Sequence, residues 1–207
     1  MNAREEILAR IAAAVPRPVQ VEIPRDYRAA GGEGRGSADV LALLEDRLVD
    51  YRATVHRVGP DDVHSRITAV LTGAGIGTVV LPAGFPAPWS PTAVRVVADE
   101  PALTPGDLAG LDGVLTTCRI AVAETGTIVL DGGQGQGRRA LSLVPDFHLV
   151  VVRAEQVVAS VPDAVAELDP VRAMTWISGP SATSDIELQR VEGVHGPRRL
   201  HVLLVLP

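Results

Sequence analysis

From residue 37 onward, stretches with helical periodicity alternate with short apolar runs, and this alternation constrains the fold most strongly. Short apolar runs bounded by turn residues are typical of buried strands, whereas longer amphipathic stretches are typical of helices. The pattern predicts strands at residues 54–58, 77–81, 94–98, 113–117, 127–131, 148–153, 175–178 and 201–206. It predicts helices at 38–51, 60–73, 104–109 and 138–144, and over most of 154–168, where Pro162 divides the pattern. Repeated strand–helix units predict an α/β domain with a mostly parallel sheet flanked by helices. The last two predicted strands, 175–178 and 201–206, complete this sheet.

The first 36 residues have a different character. Residues 2–14 have helical periodicity, and the segment 15–37 holds three prolines and four glycines without periodicity, as a linker does. We therefore divide the chain into an N-terminal helical arm, residues 1–36, and an α/β domain, residues 37–207. Such a tethered helix can pack on a neighbouring subunit of a homo-oligomer or on its own domain, and the sequence leaves both open.

Charge and hydropathy exclude two classes of partner. The formal charge of the 207 residues is −6, whereas a nucleic-acid-binding domain needs a basic surface. No apolar run approaches the roughly 20 residues that span a bilayer, so we expect no membrane partner. The N-terminus carries early acidic residues and no cleavage-site pattern of a secretory signal. These features together predict a cytoplasmic protein.

Two residue types are nearly or wholly absent. Cys118 is the single cysteine, so the chain has no cysteine set for an iron–sulfur cluster or a structural zinc. All 19 basic residues are arginines, which excludes mechanisms built on a Schiff-base lysine or a P-loop lysine. Arginine binds carboxylate and phosphate bidentately, although codon bias explains the absence of lysine equally well. No haem, flavin or dinucleotide motif is present either, and we expect neither a cofactor nor a metal, although the sequence leaves open a metal site of dispersed His, Asp and Glu residues.

The stretch 116–145 carries the main candidate site. Residues 128–130 suit a strand buried on both faces, as in a parallel sheet covered by helices. The acidic turn at Glu124 precedes this strand, and a segment with four glycines, 132–137, follows it. Arg138 and Arg139 then open a helix, whose free N–H groups favour an anion. The stretch predicts a site for a small anionic molecule, or else a tight turn and a mobile loop.

Two later loops are expected near this site, because ligands bind beyond the carboxyl ends of strands in open α/β sheets. The turn 178–181 follows one predicted strand, and the segment 193–199 precedes another. Histidine can act as a general acid or base near neutral pH, so His195 is a candidate for that role. Asp185 either caps a helix or contacts the ligand.

Four blocks of this sequence resemble the lactate utilisation protein C family, whose module is the LUD domain. They are AETGTIVL at 123–130, GRRALSLVPDFHLVVV at 137–152, ISGPSATSDIE at 177–187 and GVHGPRRLHVLLV at 193–205. The resemblance covers most of residues 40–206 and is strongest from residue 117 onward. It implies a fold related to the glucosamine-phosphate deaminase, ribose-phosphate isomerase and CoA-transferase group. It also implies cytoplasmic participation in oxidising L-lactate to pyruvate, beside two iron–sulfur partner proteins.

The family blocks and the local chemistry together define the candidate residues. The predicted substrate-binding residues are Thr125, Gly126, Thr127, Gly133, Gly135, Gly137, Arg138, Arg139, Ser178, Gly179, Ser181 and Asp185, and the predicted catalytic residues are Glu124 and His195.

Three functions remain open at this point. The first is a non-redox subunit or accessory protein of a lactate-oxidising iron–sulfur complex, which binds a small carboxylate of the lactate or pyruvate class. The second is a stand-alone isomerase, hydrolase or acyl-transfer enzyme acting on a sugar phosphate or acyl substrate, with Glu124 as base or nucleophile. The third is a non-catalytic module that binds an organic acid.

Overall fold

The computed structural model describes residues 2–15, 22–31, 34–183, 191–192 and 196–207. Two of its helices begin at a side chain that caps them. The side chains of Ser37 and Thr104 each accept a hydrogen bond from the N–H of the third residue of the helix that follows, which is how a helix N-cap acts. Within these described residues the α-helices are α1 (Ala3–Ala14), α2 (Ala38–Asp50), α3 (Val63–Gly73), α4 (Pro105–Ala109), α5 (Arg139–Leu143) and α6 (Val161–Glu167).

The main sheet has six strands, all parallel to their neighbours, in the order β1-β12-β7-β4-β2-β3. This confirms the predicted α/β architecture with a mostly parallel sheet. The last strand, β12, lies between β1 and β7 in the interior of this sheet. The strands are β1 (Thr54–Val58), β2 (Thr78–Leu81), β3 (Arg95–Ala98), β4 (Gly113–Thr117), β7 (Phe147–Arg153) and β12 (Arg199–Val205).

A second, four-stranded sheet was not predicted. Its order is β8-β5-β6-β9, and β6 pairs antiparallel with both β5 and β9. The placement of residues 127–131 and 175–178 in the main sheet is therefore wrong. The prediction that residues 128–130 are buried on both faces is confirmed. Ile128 and Leu130 face the main core, and Val129 faces a smaller core beneath α6. Burial on both faces does not reveal which sheet a strand joins. The strands are β5 (Ile120–Val122), β6 (Thr127–Leu130), β8 (Val157–Val158) and β9 (Thr175–Ile177), and a short pair outside both sheets is β10 (Ala182–Thr183) with β11 (Val191–Glu192).

The region 154–168 also differs from the predicted helix. A short 3-10 turn at Ala154–Gln156 leads into β8, and only Val161–Glu167 is α-helical. Pro162 does not divide a helix but lies in the first turn of α6, where its missing N–H costs nothing. The Ser160 side chain accepts from the Asp163 N–H, and the Asp163 carboxylate accepts from the Ser160 N–H. This capping box starts the helix later than the periodicity indicated.

The two faces of the main sheet bury separate apolar cores. Along β7, Phe147, Leu149 and Val151 pack towards α3, whereas Val150 and Val152 pack towards α2 and the second sheet. This alternation is the two-residue period expected of a strand. The second sheet is thus held against one face of the main sheet. The connection from β4 to β5 leads from one sheet to the other.

Helix α1 is exposed, whereas the segment 22–31 contacts the rest of the protein. Asn2 caps α1, and every residue of that helix is exposed, including the apolar Ile7, Leu8 and Ile11. Farther along, the Arg28 guanidinium pairs with Glu124, and the Gly31 N–H donates to the Asp163 carboxylate at 2.8 Å. The boundary between an arm at 1–36 and a domain at 37–207 remains a prediction. None of the helices in the described ranges is long and apolar enough to cross a membrane.

Helix α2 provides a matched test of the core. Leu44 is fully buried in the core beneath α2, whereas Val49 on the same helix is 57% exposed. We expect Leu44→Ala to lower the free energy of unfolding by about 2–5 kcal/mol, because it removes apolar contacts and leaves a cavity. Val49→Ala should change it by less than about 0.5 kcal/mol. Urea denaturation of both variants measures the difference, and equal effects would contradict the assignment of the core.

Candidate functional site

The glycine loop, residues 131–138, joins β6 to α5 and passes the carboxyl end of β4. The Gly135 N–H donates to the Ala83 carbonyl at 2.9 Å, and the Thr117 N–H donates to the Gly135 carbonyl at 2.7 Å. A Cβ at Gly135 would lie 2.8 Å from the Thr117 Oγ1 atom, and the φ of Gly135 is +70°. Both the space and the backbone conformation therefore require glycine. The loop is fixed to the main sheet through its backbone.

One side of the glycine loop is the wall of a cleft of about 520 Å³, which we call the arginine cleft. The carboxyl end of β6, the start of α5 and the chain before β9 form its other walls. Three of its lining residues are arginines, and Leu130 and Ala173 are the apolar side chains among the lining residues. The full lining is Leu130, Asp131, Gly132, Gly137, Arg138, Arg139, Ser142, Arg172, Ala173 and Thr175.

Two of the three arginines in this cleft are already engaged. Arg138 grips the Asp99 carboxylate with two hydrogen bonds of 2.7 and 2.9 Å, which hold the pKa of that carboxyl below its usual value. Arg172 donates to the Asp131 carbonyl at 3.1 Å and lies 3.4 Å from the Asp131 carboxylate. The Arg139 guanidinium has no hydrogen-bond or ion-pair partner within the described part of the chain. Its guanidinium is the cation in this cleft that remains available to an anion.

The other side of the glycine loop faces a second cleft, of about 290 Å³, which we call the polar cleft. It opens at the carboxyl ends of β4 and β7, the edge at which parallel sheets bind ligands. Arg119 and Arg153 line it, and sequence reasoning missed both, although each follows or ends a predicted strand. The full lining is Gly84, Pro86, Trp89, Thr117, Cys118, Arg119, Gln134, Gln136, Val151, Arg153 and Gln156.

Glu124 lies away from both clefts. Its carboxylate accepts two hydrogen bonds of 2.6 and 2.7 Å from Arg28 and one of 2.8 Å from the Val161 N–H at the start of α6. These donors hold the pKa of Glu124 below its usual value, with Arg28 as the main cause. Glu124 precedes β6 and the glycine loop follows it, so this four-residue strand separates them by about 13 Å. The structure does not bring Glu124 and the glycine loop together.

The threonines of the acidic turn form a chain of hydroxyl contacts with the segment after β9. The Thr127 Oγ1 atom lies 2.8 Å from the Thr125 Oγ1 atom and 2.7 Å from the Ser178 Oγ atom. Gly126 and Gly179 both have positive φ and both pack closely against α2 or its C-terminal Tyr51. These predicted site residues therefore join the second sheet to α2, at the same end of β6 as Glu124.

The remaining predicted residues have mixed outcomes. The Gly133 N–H donates to the Asp131 carboxylate at 3.0 Å, which shapes the glycine loop from within. The Ser181 N–H donates to the Pro197 carbonyl at 2.8 Å, so the two family blocks that contain these residues do meet. Asp185 and His195 lie outside the described residues.

Cys118 is an inert thiol in this fold. It is 3% exposed, and burial raises its pKa to about 12, so it carries no thiolate at neutral pH. In the ranges that the structure describes, no group of three or more His, Cys, Asp or Glu side chains could hold a metal ion.

His148 lies in the core, on the strand β7. Its Nε2 atom lies 2.7 Å from the Thr116 Oγ1 atom on the adjacent strand β4. The ring is fully buried, and burial lowers its pKa to about 4. The imidazole is therefore neutral at physiological pH and packs between strands instead of facing either cleft.

Comparisons with known proteins agree with this architecture. A family model described as the LUD domain matches residues 106–205. Lactate utilization protein C of Deinococcus radiodurans is 49% identical over 172 residues, which are 81% of this chain and 80% of that protein. The protein of the same name from Bacillus pumilus is 42% identical over 92 residues, 41% of this chain and 38% of that protein. A crystal structure of a DUF162 family protein from Deinococcus radiodurans is 42% identical with a TM-score of 0.68, and the match covers 81% of this chain and 97% of that chain.

The Arg28–Glu124 pair predicts how a substitution at the acidic turn will act. We expect Glu124→Gln to release the segment 22–31, because the neutral amide loses the ion pair with Arg28. Trypsin should then cut after Arg25 and Arg28 several-fold faster, which a time course followed by mass spectrometry measures. Glu155→Gln is the matched control, because Glu155 pairs with Arg153 and does not touch that segment. Equal cutting rates in the two variants would show that Glu124 does not hold the segment.

The buried histidine predicts a loss of stability in mild acid. An unfolded imidazole titrates near its ordinary pKa of 6.5, whereas the folded pKa of His148 is about 4. Between these values the unfolded state binds the additional proton, so stability is full above about pH 6.5 and falls towards pH 4. Urea denaturation at about pH 7, 6 and 5 should show this decline, and His148→Gln should reduce its slope by up to about 1.4 kcal/mol per pH unit. An unchanged slope in the variant would contradict the assignment.

Proposed function

The chain belongs to the lactate utilization protein C family, and from this premise we propose that it serves lactate utilisation as a non-redox subunit that binds a small carboxylate. The proposed ligand is of the lactate or pyruvate class, and the proposed place of action is the cytoplasm. The relatives that carry this name supply the metabolic context. The arginine cleft supplies the guanidinium groups that would bind the carboxylate.

The observation that carries the proposal is the available guanidinium of Arg139 beside the glycine loop. Arginine presents two parallel N–H donors to a carboxylate, which makes such pairs both strong and directional. Arg138 and Arg172 hold Asp99 and Asp131, so these carboxylates do not compete for Arg139. The lining atoms of Leu130 and Ala173 give the methyl group of a three-carbon acid an apolar contact.

The redox step is assigned to partner proteins. Oxidising lactate to pyruvate removes two electrons and two protons. An iron–sulfur cluster held by several cysteines could accept the electrons one at a time. The single cysteine of this chain cannot ligate a cluster, and that thiol is buried with a raised pKa. In our proposal the chain holds substrate or product, and iron–sulfur partners of the kind that the family resemblance implies accept the electrons.

The enzyme alternative that uses Glu124 receives less support. A general base works best with a pKa near the working pH, yet Arg28 and the Val161 N–H lower the pKa of Glu124. The same contacts occupy the carboxylate oxygens that would have to reach a substrate. The surroundings of Glu124 favour a structural role, in which it fastens the N-terminal segment to α6.

Isothermal titration with L-lactate and pyruvate tests the proposal. We expect one of these acids to bind the full chain, and Arg139→Gln to weaken that binding by about tenfold to a hundredfold, because a charge-assisted pair is lost. Arg95→Gln is the matched control, since Arg95 is exposed on β3 and lines neither cleft. Binding that is equal in wild type and Arg139→Gln, or absent for both acids, would contradict the proposed site.

Reconstitution tests the assignment to a complex. The two iron–sulfur partners should reduce a dye in the presence of L-lactate only when this chain is added, and Arg139→Gln should lower that rate together with carboxylate affinity. Full dye reduction without the chain would contradict a role as a required subunit.

A further inference from the structure

The polar cleft is not used by the proposed carboxylate site. The glycine loop separates the two clefts, and Gly132 and Gly137 line one side whereas Gln134 and Gln136 line the other. The Gln136 Oε1 atom accepts from the Asp131 N–H at 2.7 Å, which braces the loop between the clefts. The polar cleft is therefore a separate cavity that shares one wall with the arginine cleft.

Its charge is entirely positive. Arg119 and Arg153 contribute two guanidiniums, and no carboxylate is among the lining residues. Among the residues that the structure describes, the Arg119 guanidinium makes only a long hydrogen bond of 3.4 Å, to the Glu167 carbonyl. Arg153 pairs with Glu155 at 2.8 Å, but the Glu155 side chain is 68% exposed and lies outside the cleft lining. Such an exposed pair is weak and is readily exchanged for a ligand.

The backbone that carries these arginines is held in place. The Gln156 side chain donates to the Cys118 carbonyl at 2.6 Å and accepts from the Arg153 N–H at 3.0 Å, so it ties the two arginine-bearing segments together. On the opposite wall, the Thr117 hydroxyl donates to the Gln134 carbonyl at 3.1 Å. A cleft with fixed walls loses little conformational entropy when a ligand binds.

Polar groups without partners complete the cleft. The Trp89 indole N–H and the Gln134 side-chain amide make no hydrogen bond within the described residues. Both can contact the part of a ligand that lies beyond its charged group. The volume of about 290 Å³ is at the small end of ligand pockets, so the ligand is a small molecule.

We propose that the polar cleft binds a phosphate group, either as free phosphate or as a phosphate monoester of a small metabolite. Two guanidiniums without a carboxylate in the lining match the charge of about −2 that a phosphate monoester carries at neutral pH. A carboxylate offers these two guanidiniums a single negative charge, whereas a phosphate monoester offers a charge of about −2 and three terminal oxygens that accept from both. This site would give a lactate-utilisation subunit a second ligand, and it stands whether or not Arg139 binds a carboxylate.

The test is calorimetric titration of the full chain with inorganic phosphate and, separately, with glycerol 3-phosphate. We expect at least one to bind, and Arg119→Gln and Arg153→Gln each to weaken that binding by about tenfold or more. Glu155→Gln should instead tighten it, because the competing partner of Arg153 is removed, and a merely structural role for Arg153 would not produce that gain. Tighter binding of the ester identifies a phosphorylated metabolite, and equal binding identifies phosphate itself.

Arg139→Gln separates this proposal from the proposed function. It should change phosphate affinity by less than about twofold while it abolishes or weakens carboxylate binding. Circular dichroism and thermal melting confirm that each variant is folded. Failure of both phosphate compounds to bind the wild-type chain at millimolar concentration, or phosphate binding that both Arg119→Gln and Arg153→Gln leave unchanged, would overturn the proposal.

Discussion

Two backbone hydrogen bonds hold the glycine loop against the main sheet, and both candidate clefts depend on them. They join Gly135 to Thr117 at the end of β4 and to Ala83 in the loop after β2. Any side chain at residue 135 would meet the Thr117 hydroxyl, so the loop can approach the sheet only with glycine there. Because the loop is fixed between the two sheets, its two sides face different cavities.

The distribution of arginine partners then decides which cavities can take an anion. Arg138 and Arg172 are held by acidic residues and act as structural cross-links. Arg139 retains its charge for a ligand, and so do Arg119 and, after exchange of an exposed partner, Arg153. Because the chain contains arginine and no lysine, its sequence alone does not distinguish one cation from another. The acidic side chains that pair with each arginine in the folded structure show which guanidiniums are available to a ligand.

Local sequence patterns predicted the main sheet well, because most of its strands are short runs rich in apolar residues between turn residues. The same patterns failed for β6, since a strand buried on both faces looks alike in a parallel or an antiparallel sheet. They also failed at Pro162, whose place in the first turn of α6 depends on the capping box with Ser160. Periodicity reports burial and local conformation, whereas sheet membership is set by contacts between distant residues.

The candidate site could be predicted only in part, for the same reason. The glycine loop and Arg139 were found because glycines and arginines are adjacent in the sequence. The separation of Glu124 from the loop depends on the antiparallel pairing of β6, and the Arg28–Glu124 pair joins residues 96 positions apart. No local signal contains that information.

A crystal structure of the chain with pyruvate tests the central claim most directly. Our account predicts that the pyruvate carboxylate lies within hydrogen-bond distance of the Arg139 guanidinium, with its methyl group towards Leu130 and Ala173. Pyruvate bound at the opposite end of β6, beside Glu124 and Arg28, would contradict the account.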